Sequence, residues 1–346
     1  MRVAVVGATG AVGTELLGIL EERSFPVTSL RAFASPRSAG RRVAFAGREV
    51  EVEPLPDDGD LGADVVFSSA GGAVSKAGAW RWAEHGAVVV DNTSAWRLDP
   101  RVPLVVPEVN PEALAGHQGI VANPNCSTII ALMALAPLHR EFGLRRAVVA
   151  TYQAVSGAGL WGIEELREQT AAALAGEPVT PRRFGHQIAF NVFSHDSDVG
   201  EDGYNAEERK LLLESRKILG QPDLAVSATC VRVPVFRAHS EAIHASFARP
   251  VSAEEARRVL AGAPGVRLVD DRPANAFPMP VAAAGGDETL VGRIREDTAL
   301  ENGLALFVAG DQIRKGAALN AVQIAEALVG AGPSGSREGA VRAVSV

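Results

Sequence analysis

The chain has 346 residues, 47% of them apolar and 22% charged, with a formal net charge of −7. That length fits about two domains around large cores, and the composition is that of an ordinary soluble globular protein. Two cysteines exclude a disulfide scaffold and a cysteine-rich zinc site, and the negative balance excludes a general nucleic-acid binder.

In chain order, the first half alternates short β-branched runs with helical stretches. Arg2–Val6 reads as a buried strand and Ala11–Glu22 as a helix with Leu16, Leu17 and Leu20 on one side. Residues 29–34, 63–68 and 87–91 read as further strands, with a helix at about 75–85. Near-continuous valine runs indicate strands buried on both faces, and strand–helix alternation indicates a parallel, doubly wound sheet. The opening run 1–7 is too short for a signal-peptide core. The longest apolar helix, 129–138, falls short of the ~20 residues that span a bilayer. A cytoplasmic protein with no membrane or nucleic-acid partner is expected.

The second half has fewer strand–helix–strand units. Residues 146–153, 225–236, 289–295 and 303–309 read as strands, and Ala206–Leu219, Ala253–Ala261 and 317–329 as helices. A mixed α+β domain fits this pattern. The tail at 331–346 opens on Gly-Pro-Ser-Gly-Ser and is expected to be poorly ordered.

The first strand runs into Gly7-Ala8-Thr9-Gly10-Ala11-Val12-Gly13, which opens a helix. Glycines admit a pyrophosphate close to the backbone, and the free N–H groups and positive helix end bind its charge. An NAD site would carry an acidic residue about 20 positions later, on the ribose hydroxyls. None occurs between Glu22 and Glu49, and the second strand ends in Ser35-Pro36-Arg37-Ser38 instead. Ser35, Arg37 and Ser38 suit a 2′-phosphate, which favours NADP. The opposing reading is a solvated loop: only four of the 34 basic residues are lysine (Lys76, Lys210, Lys217, Lys315), so arginine is common here.

Asn123-Pro124-Asn125-Cys126-Ser127-Thr128 precedes the apolar helix. A thiolate at a helix start is favoured by the dipole and unpaired N–H groups, so Cys126 is expected to have a lowered pKa and to act as a nucleophile. Cys230, inside an apolar run, reads as a buried structural cysteine. A nucleotide beside an activated cysteine suggests an acyl-thioester reduced by hydride, with an acid or base near the sulfur.

At these residues the chain resembles the bacterial type of aspartate-β-semialdehyde dehydrogenase over about residues 1–330. The resemblance rests on GATGAVG at 7–13, SPRSAGR at 35–41, DNTSAWR at 91–97, NPNCST at 123–128, QAVSGAG at 153–159, FGHQIAFN at 184–191, EERK at 207–210, RVPVFRAHSE at 232–241 and GAALNAVQIAEAL at 316–328. It implies an α/β fold: a Rossmann-type doubly wound parallel sheet with a second, mixed α+β substrate and dimerisation domain. Residues 1–125 with 314–346 would bind NADP, and 126–313 would carry catalysis and dimerisation. The implied reaction is NADPH-dependent reductive dephosphorylation of L-aspartyl-4-phosphate to L-aspartate 4-semialdehyde, in the biosynthesis of lysine, threonine, methionine and isoleucine. A homodimer or homotetramer is implied, with no metal.

The resemblance also implies roles. Cys126 would be the nucleophile, His239 the acid/base and Gln153 the group that orients substrate. Arg232 would pair with the α-carboxylate, Glu207 with the α-ammonium, and Arg97 and Lys210 with phosphate, near Asn125. Gly7, Thr9, Gly10, Ala11 and Val12 would contact the pyrophosphate. Ser35, Arg37 and Ser38 would meet the 2′-phosphate, and Ser156, Gly157 and Gln312 would lie along the cofactor.

Physical chemistry constrains these roles. A guanidinium offers a carboxylate a two-point contact. Glu207 and Lys210 share a helix face, but Asn205 with Glu208 is also a candidate capping box at a merely solvated helix start. Arg97 follows a strand end, the ligand edge of such a sheet. Arg232 and His239 are an odd seven apart, so a straight strand would oppose them; Pro234 between them implies a break. His244 is a rival to His239. Ser194, where relatives commonly place proline, and the bulky Leu160-Trp161 depart from the family pattern. Two alternatives stay open: an N-acetyl-γ-glutamyl-phosphate reductase, whose acetylated substrate needs no partner for an ammonium, and an inactive nucleotide-binding relative.

Overall fold

The computed structural model describes residues 1–330. The tail at 331–346 lies outside the described residues. In chain order the elements are β1 (Arg2–Val6), α1 (Ala11–Glu22), β2 (Ser29–Phe33), β3 (Arg42–Phe45), β4 (Arg48–Glu53), β5 (Val65–Ser68), α2 (Gly72–Glu84), β6 (Val88–Asp91) and β7 (Ile120–Ala122). There follow α3 (Cys126–Phe142), β8 (Leu144–Gln153), α4 (Leu160–Ala175), β9 (Phe193–Ser194), α5 (Ala206–Leu219), β10 (Ala225–Arg232), β11 (His239–Phe247) and α6 (Ala253–Ala261). The chain closes with β12 (Val266–Leu268), α7 (Pro280–Ala283), β13 (Thr289–Glu296), β14 (Gly303–Gly310) and α8 (Leu319–Gly330).

The valine-rich strands form one sheet in the order β3-β4-β2-β1-β5-β6-β7, parallel except for the β3–β4 hairpin. The chain leaves β1 for β2 on one side and returns to β5 on the other. The carboxyl end of β1 is therefore a topological switch point, where open α/β sheets bind ligands. The sequence reading missed this hairpin: Val43, Phe45, Val50 and Val52 alternate with exposed residues and turn into the core, a period-2 pattern and not the continuous valine run of the parallel strands.

The second sheet, β12-β13-β14-β11-β8-β10-β9, is mixed: β8 and β10 run parallel, while β11 is antiparallel to both β8 and β14. The α+β expectation is borne out. Helix α3 lies between the two sheets, with residues 127–136 all buried, as a helix apolar on every side must be. Helix α8 returns to the first sheet, where Leu319, Val322 and Ile324 join Leu16, Leu17 and Leu20 of α1 in one core.

Several boundaries differ from expectation, and α4 and β11 have no counterpart in it; two of the differences have a plain physical cause. The strand read at 225–236 ends at Arg232, because Pro234 cannot donate to a ladder and Ala238 has φ +73°. The last helix begins at Leu319, after a π-helical turn at Arg314–Ala318 closed by Gly316 N–H to Asp311 O (3.0 Å) and Ala318 N–H to Ile313 O (2.8 Å). That wide turn pushes Gly316 toward α3. No described helix is long and apolar enough to cross a membrane.

Candidate active site

The glycine loop is built for close approach. Gly7 has φ +94°, and a Cβ at Gly13 would stand 2.2 Å from Gly7 O, so only glycine lets α1 pack on the turn. Gly10 caps α1 without a side-chain hydrogen bond, which leaves the N–H groups of Ala11 and Val12 for a ligand. Gly7 and Ala8 N–H bond to Phe33 O (2.8 and 3.1 Å), and Thr9 Oγ1 meets Ser38 Oγ at 3.5 Å. The glycine loop thus abuts the Ser35-Pro36-Arg37-Ser38 turn, where Ser35 and Arg37 are exposed. These residues fit a phosphorylated dinucleotide.

Cys126 is the first residue of α3. Asn125 caps the helix, its Oδ1 accepting from Ser127 N (3.1 Å) and Thr128 N (3.2 Å). The thiol is half-buried, and a Cβ on Gly316 would stand 2.9 Å from Cys126 Cβ. The expected lowering of the Cys126 pKa is not what the site imposes. Burial pushes the thiol up to about 12 and Glu207 adds to the push, while Arg97, Lys210 and the Ser127 N–H pull the other way. A helix end alone acts within one turn, and here desolvation outweighs it. Cys230 is buried, as expected, and burial raises its thiol too.

Helix α5 supplies a charged face. Its Asn205–Glu208 capping box is present, yet Glu207 is not solvated. It is 4% exposed, and its carboxylate accepts from Asn125 Nδ2 (2.7 Å), Gln153 Nε2 (3.0 Å) and Lys210 Nζ (2.8 Å). Burial opposes the charge, but Lys210, His195 and these bonds hold the carboxyl well below the ordinary range. Gln153, at the end of β8, also donates to Ser127 Oγ (2.8 Å), and its Oε1 is buried without a partner.

Glu214, about two turns further along the same face of α5, was missed. Its Oε2 accepts from Asn125 N (2.6 Å) and its Oε1 pairs with Arg97 Nη1 (3.1 Å), both side chains buried. Arg97 also donates to Asn123 O and Asn92 O (2.9 Å each). It reaches the site already charge-paired, whereas Lys210 is half-exposed beside Glu207. The signal was available: residues 207, 210, 214 and 217 share one face of α5. Lys217 closes that face with 2.8 Å bonds to the carbonyls of Arg97, Asp99 and Val102.

The break after β10 resolves the odd spacing. Arg232 ends β10 opposite Gln153, and His239 starts β11. A Cβ on Gly157 would touch both, 3.3 Å from His239 Nε2 and 3.4 Å from Arg232 Nη1. His239 Nδ1 accepts from Ala154 N (3.0 Å), so the neutral ring carries its hydrogen on Nε2, facing the Gly157 turn. Burial, with Arg232 and His195, pushes this histidine down to about 3. It is a fixed neutral donor at physiological pH. His244 points to the other face of the sheet, where Nδ1 meets Asp297 Oδ2 at 2.5 Å.

Gln312 is bonded at both ends, its Nε2 to Ser156 Oγ and its Oε1 from Ala238 N (2.8 Å). It braces the Gly157 turn against the residue before His239. The structure therefore brings together Cys126, Asn125, Gln153, Glu207, Lys210, Arg232 and His239 with the Ser156–Gly157 turn and Gln312. The Thr9 and Arg37 loops form a separate cradle at the carboxyl edge of the first sheet. Trp161 packs on Phe184 with tilted rings (centroids 4.7 Å apart), and the Phe184 ring in turn lies under the Arg232 guanidinium, whose carbon is 5.5 Å from the ring centroid. Ser194 pairs with Val231 in the edge strand that presents His195, a residue the sequence reading passed over.

A family model described as "Semialdehyde dehydrogenase, NAD binding domain" matches residues 2–117, and one described as "Semialdehyde dehydrogenase, dimerisation domain" matches residues 135–315. The aspartate-semialdehyde dehydrogenase of Synechocystis is 52% identical over 95% of this chain and 97% of its own length. The crystal structure of aspartate semialdehyde dehydrogenase II from Vibrio cholerae, complexed with ASA, is 46% identical with a TM-score of 0.91, covering 95% of this chain and 98% of that one. The Candida albicans enzyme with NADP is 27% identical with a TM-score of 0.73, over 95% and 98%.

Proposed function

The chain belongs to the aspartate-semialdehyde dehydrogenase family, and on that premise we propose that it reduces L-aspartyl-4-phosphate to L-aspartate 4-semialdehyde and phosphate, with NADPH as the reductant. The observation that carries this reading is the buried hydrogen-bonded set Asn125–Glu207–Gln153 around Cys126 at the start of α3. Cys126 sulfur attacks the acyl carbon, the C–O bond to phosphate breaks, and the thiol proton leaves with the phosphate. Bound NADPH supplies a hydride to the resulting thioester carbon. His239 Nε2–H donates to the acyl oxygen as charge develops there. The C–S bond then breaks, its electron pair leaving on sulfur as the carbonyl re-forms to give the aldehyde, and the Cys126 thiolate takes a proton from solvent.

Arg232 receives the α-carboxylate and Glu207 the α-ammonium, while Lys210 with Arg97 draws the phosphate. An inward carboxylate at Glu207 favours a free ammonium over an acetylated substrate. Gly7, Thr9, Gly10, Ala11 and Val12 hold the pyrophosphate, and Ser35, Arg37 and Ser38 the 2′-phosphate. Ser156, Gly157 and Gln312 border the nicotinamide side. Residues 1–125 with the returning segment from 314 form the cofactor unit, and 126–313 the catalytic unit. A homodimer or homotetramer in the cytoplasm completes the proposal; the dimerisation-domain match supports the first, and two free thiols suit a reducing compartment.

The test is Cys126→Ala. Phosphate- and NADP-dependent oxidation of L-aspartate 4-semialdehyde should vanish while NADPH binding persists by fluorescence titration. Retained activity would refute the thioester route, and turnover of only the N-acetyl-glutamate semialdehyde by the wild type would refute the substrate.

A further inference from the structure

The guanidinium of Arg232 has five N–H donors, and four are committed. Nε and Nη2 point at Asp196 Oδ1 (3.3 and 2.8 Å), a second Nη2 hydrogen at His195 Nε2 (2.9 Å), and Nη1 at Ala154 O (3.1 Å). One Nη1 hydrogen remains, on a nitrogen that lies 3.4 Å from where a Cβ on Gly157 would stand. A two-point contact to a carboxylate uses Nη1 and Nη2 together, and His195 sits on the second of these positions.

His195 is mostly buried, its side chain 13% exposed. Its other nitrogen, Nδ1, lies 3.1 Å from Ser197 Oγ and 3.2 Å from Ser197 N. The ring therefore has a partner in either tautomer. With hydrogen on Nδ1 it donates to Ser197 Oγ and accepts from Arg232 at Nε2. With hydrogen on Nε2, Nδ1 accepts from Ser197 N–H and Nε2 becomes a donor. Ser197 Oγ in turn accepts from Glu207 N (3.3 Å), so the ring stands between the groups assigned to the substrate's carboxylate and ammonium.

We propose that His195 is a substrate-positioning residue that holds the carboxylate position on Arg232 in the free protein and then shares the substrate's α-carboxylate with it. The proposal rests on Arg232 receiving that carboxylate. On binding, the carboxylate takes the free Nη1 hydrogen and the Nη2 hydrogen, His195 moves its own hydrogen from Nδ1 to Nε2, and Nε2–H donates to the carboxylate. No net proton is gained or lost. Amino-aldehydes that lack the carboxylate gain neither contact, because nothing in them displaces His195 from Arg232.

The test compares L-aspartate 4-semialdehyde with 3-aminopropanal, which keeps the ammonium and lacks the carboxylate, in the phosphate- and NADP-dependent oxidation. His195→Ala should raise KM for the full substrate about tenfold, with kcat and the KM for phosphate within about twofold, and leave 3-aminopropanal unchanged. His195→Gln, whose amide can accept or donate, should recover most of the loss. Equal losses on both substrates, or no loss, would overturn the proposal. Arg232→Gln separates it from its premise. If Arg232→Gln abolishes the preference and His195→Ala does not, His195 falls and the Arg232 assignment stands; if neither changes it, both fall.

Discussion

Cys126 offers a direct conflict between helix-end stabilisation and desolvation. In the free protein its thiol stands at about 12, so near pH 7 only about one thiol in a hundred thousand is ionised. Alkylation by iodoacetamide, which consumes the thiolate, should be slow and should rise about tenfold per pH unit with no plateau up to about pH 10. Glu207→Gln removes a negative charge that raises the thiol, so alkylation at a fixed pH should accelerate, tenfold for each unit the pKa falls. Removing the opposing cation in Arg97→Gln should slow it. The assay is the pH-dependent rate of Cys126 modification followed by mass spectrometry, with Cys230 as the buried internal reference. A wild-type plateau centred at or below about 8.5, the ordinary thiol value, would refute the reasoning. So would a Glu207→Gln variant that reacts more slowly.

Further outcomes follow from buried and strained positions. Glu241 is fully buried with both carboxyl oxygens unpartnered, and burial raises it well above the ordinary range. The unfolded chain then releases this proton before the folded one does, so stability falls as pH rises above the unfolded value. Relative to Glu241→Gln, the wild type should lose up to about 1.4 kcal/mol per pH unit in urea denaturation between about pH 5 and 8; a pH-independent difference would contradict this. Ala238, at φ +73° beside His239, should accept glycine with full activity and up to about 1 kcal/mol of gain, whereas valine should lower kcat by displacing the histidine. Gly316→Ala puts a methyl 2.9 Å from Cys126 Cβ and should cut kcat at least about tenfold with circular dichroism unchanged. Gly18→Ala, with open space around it in α1, should instead stabilise by about 0.5–1 kcal/mol in thermal unfolding.

Much of the fold was legible because its signals are local. Buried parallel strands read as valine runs, and β1, β5 and β6 were found from Val-Val dipeptides alone. The loop at 7–13 is legible for the same reason, since the glycine at 13 is demanded by an atom six residues away. The β3–β4 hairpin escaped because its apolar residues lie on one buried face and alternate with exposed ones, whereas the reading followed continuous valine runs. Strand β10 was read too long because Pro234 ends the ladder only where a neighbouring strand would need its N–H.

Residue types for the chemistry were present in the sequence, and so was the helix start at Cys126. Their states were not. Glu214 reaches the backbone of Asn125 from 89 residues away and ties Arg97 to the same frame, so the charge balance at Arg97 is set by a helix far along the chain. His239 and His244 are chemically alike, and only the pleat of β11, one facing α3 and the other facing away, distinguishes them. The sequence alone determined the glycine loop and the positions of the candidate nucleophile, acid and cation. Tertiary structure decided the sign of the Cys126 shift, the tautomer of His239 and the burial of Glu207. Ionisation depends on which groups share a desolvated volume, and that is a property of the packed chain.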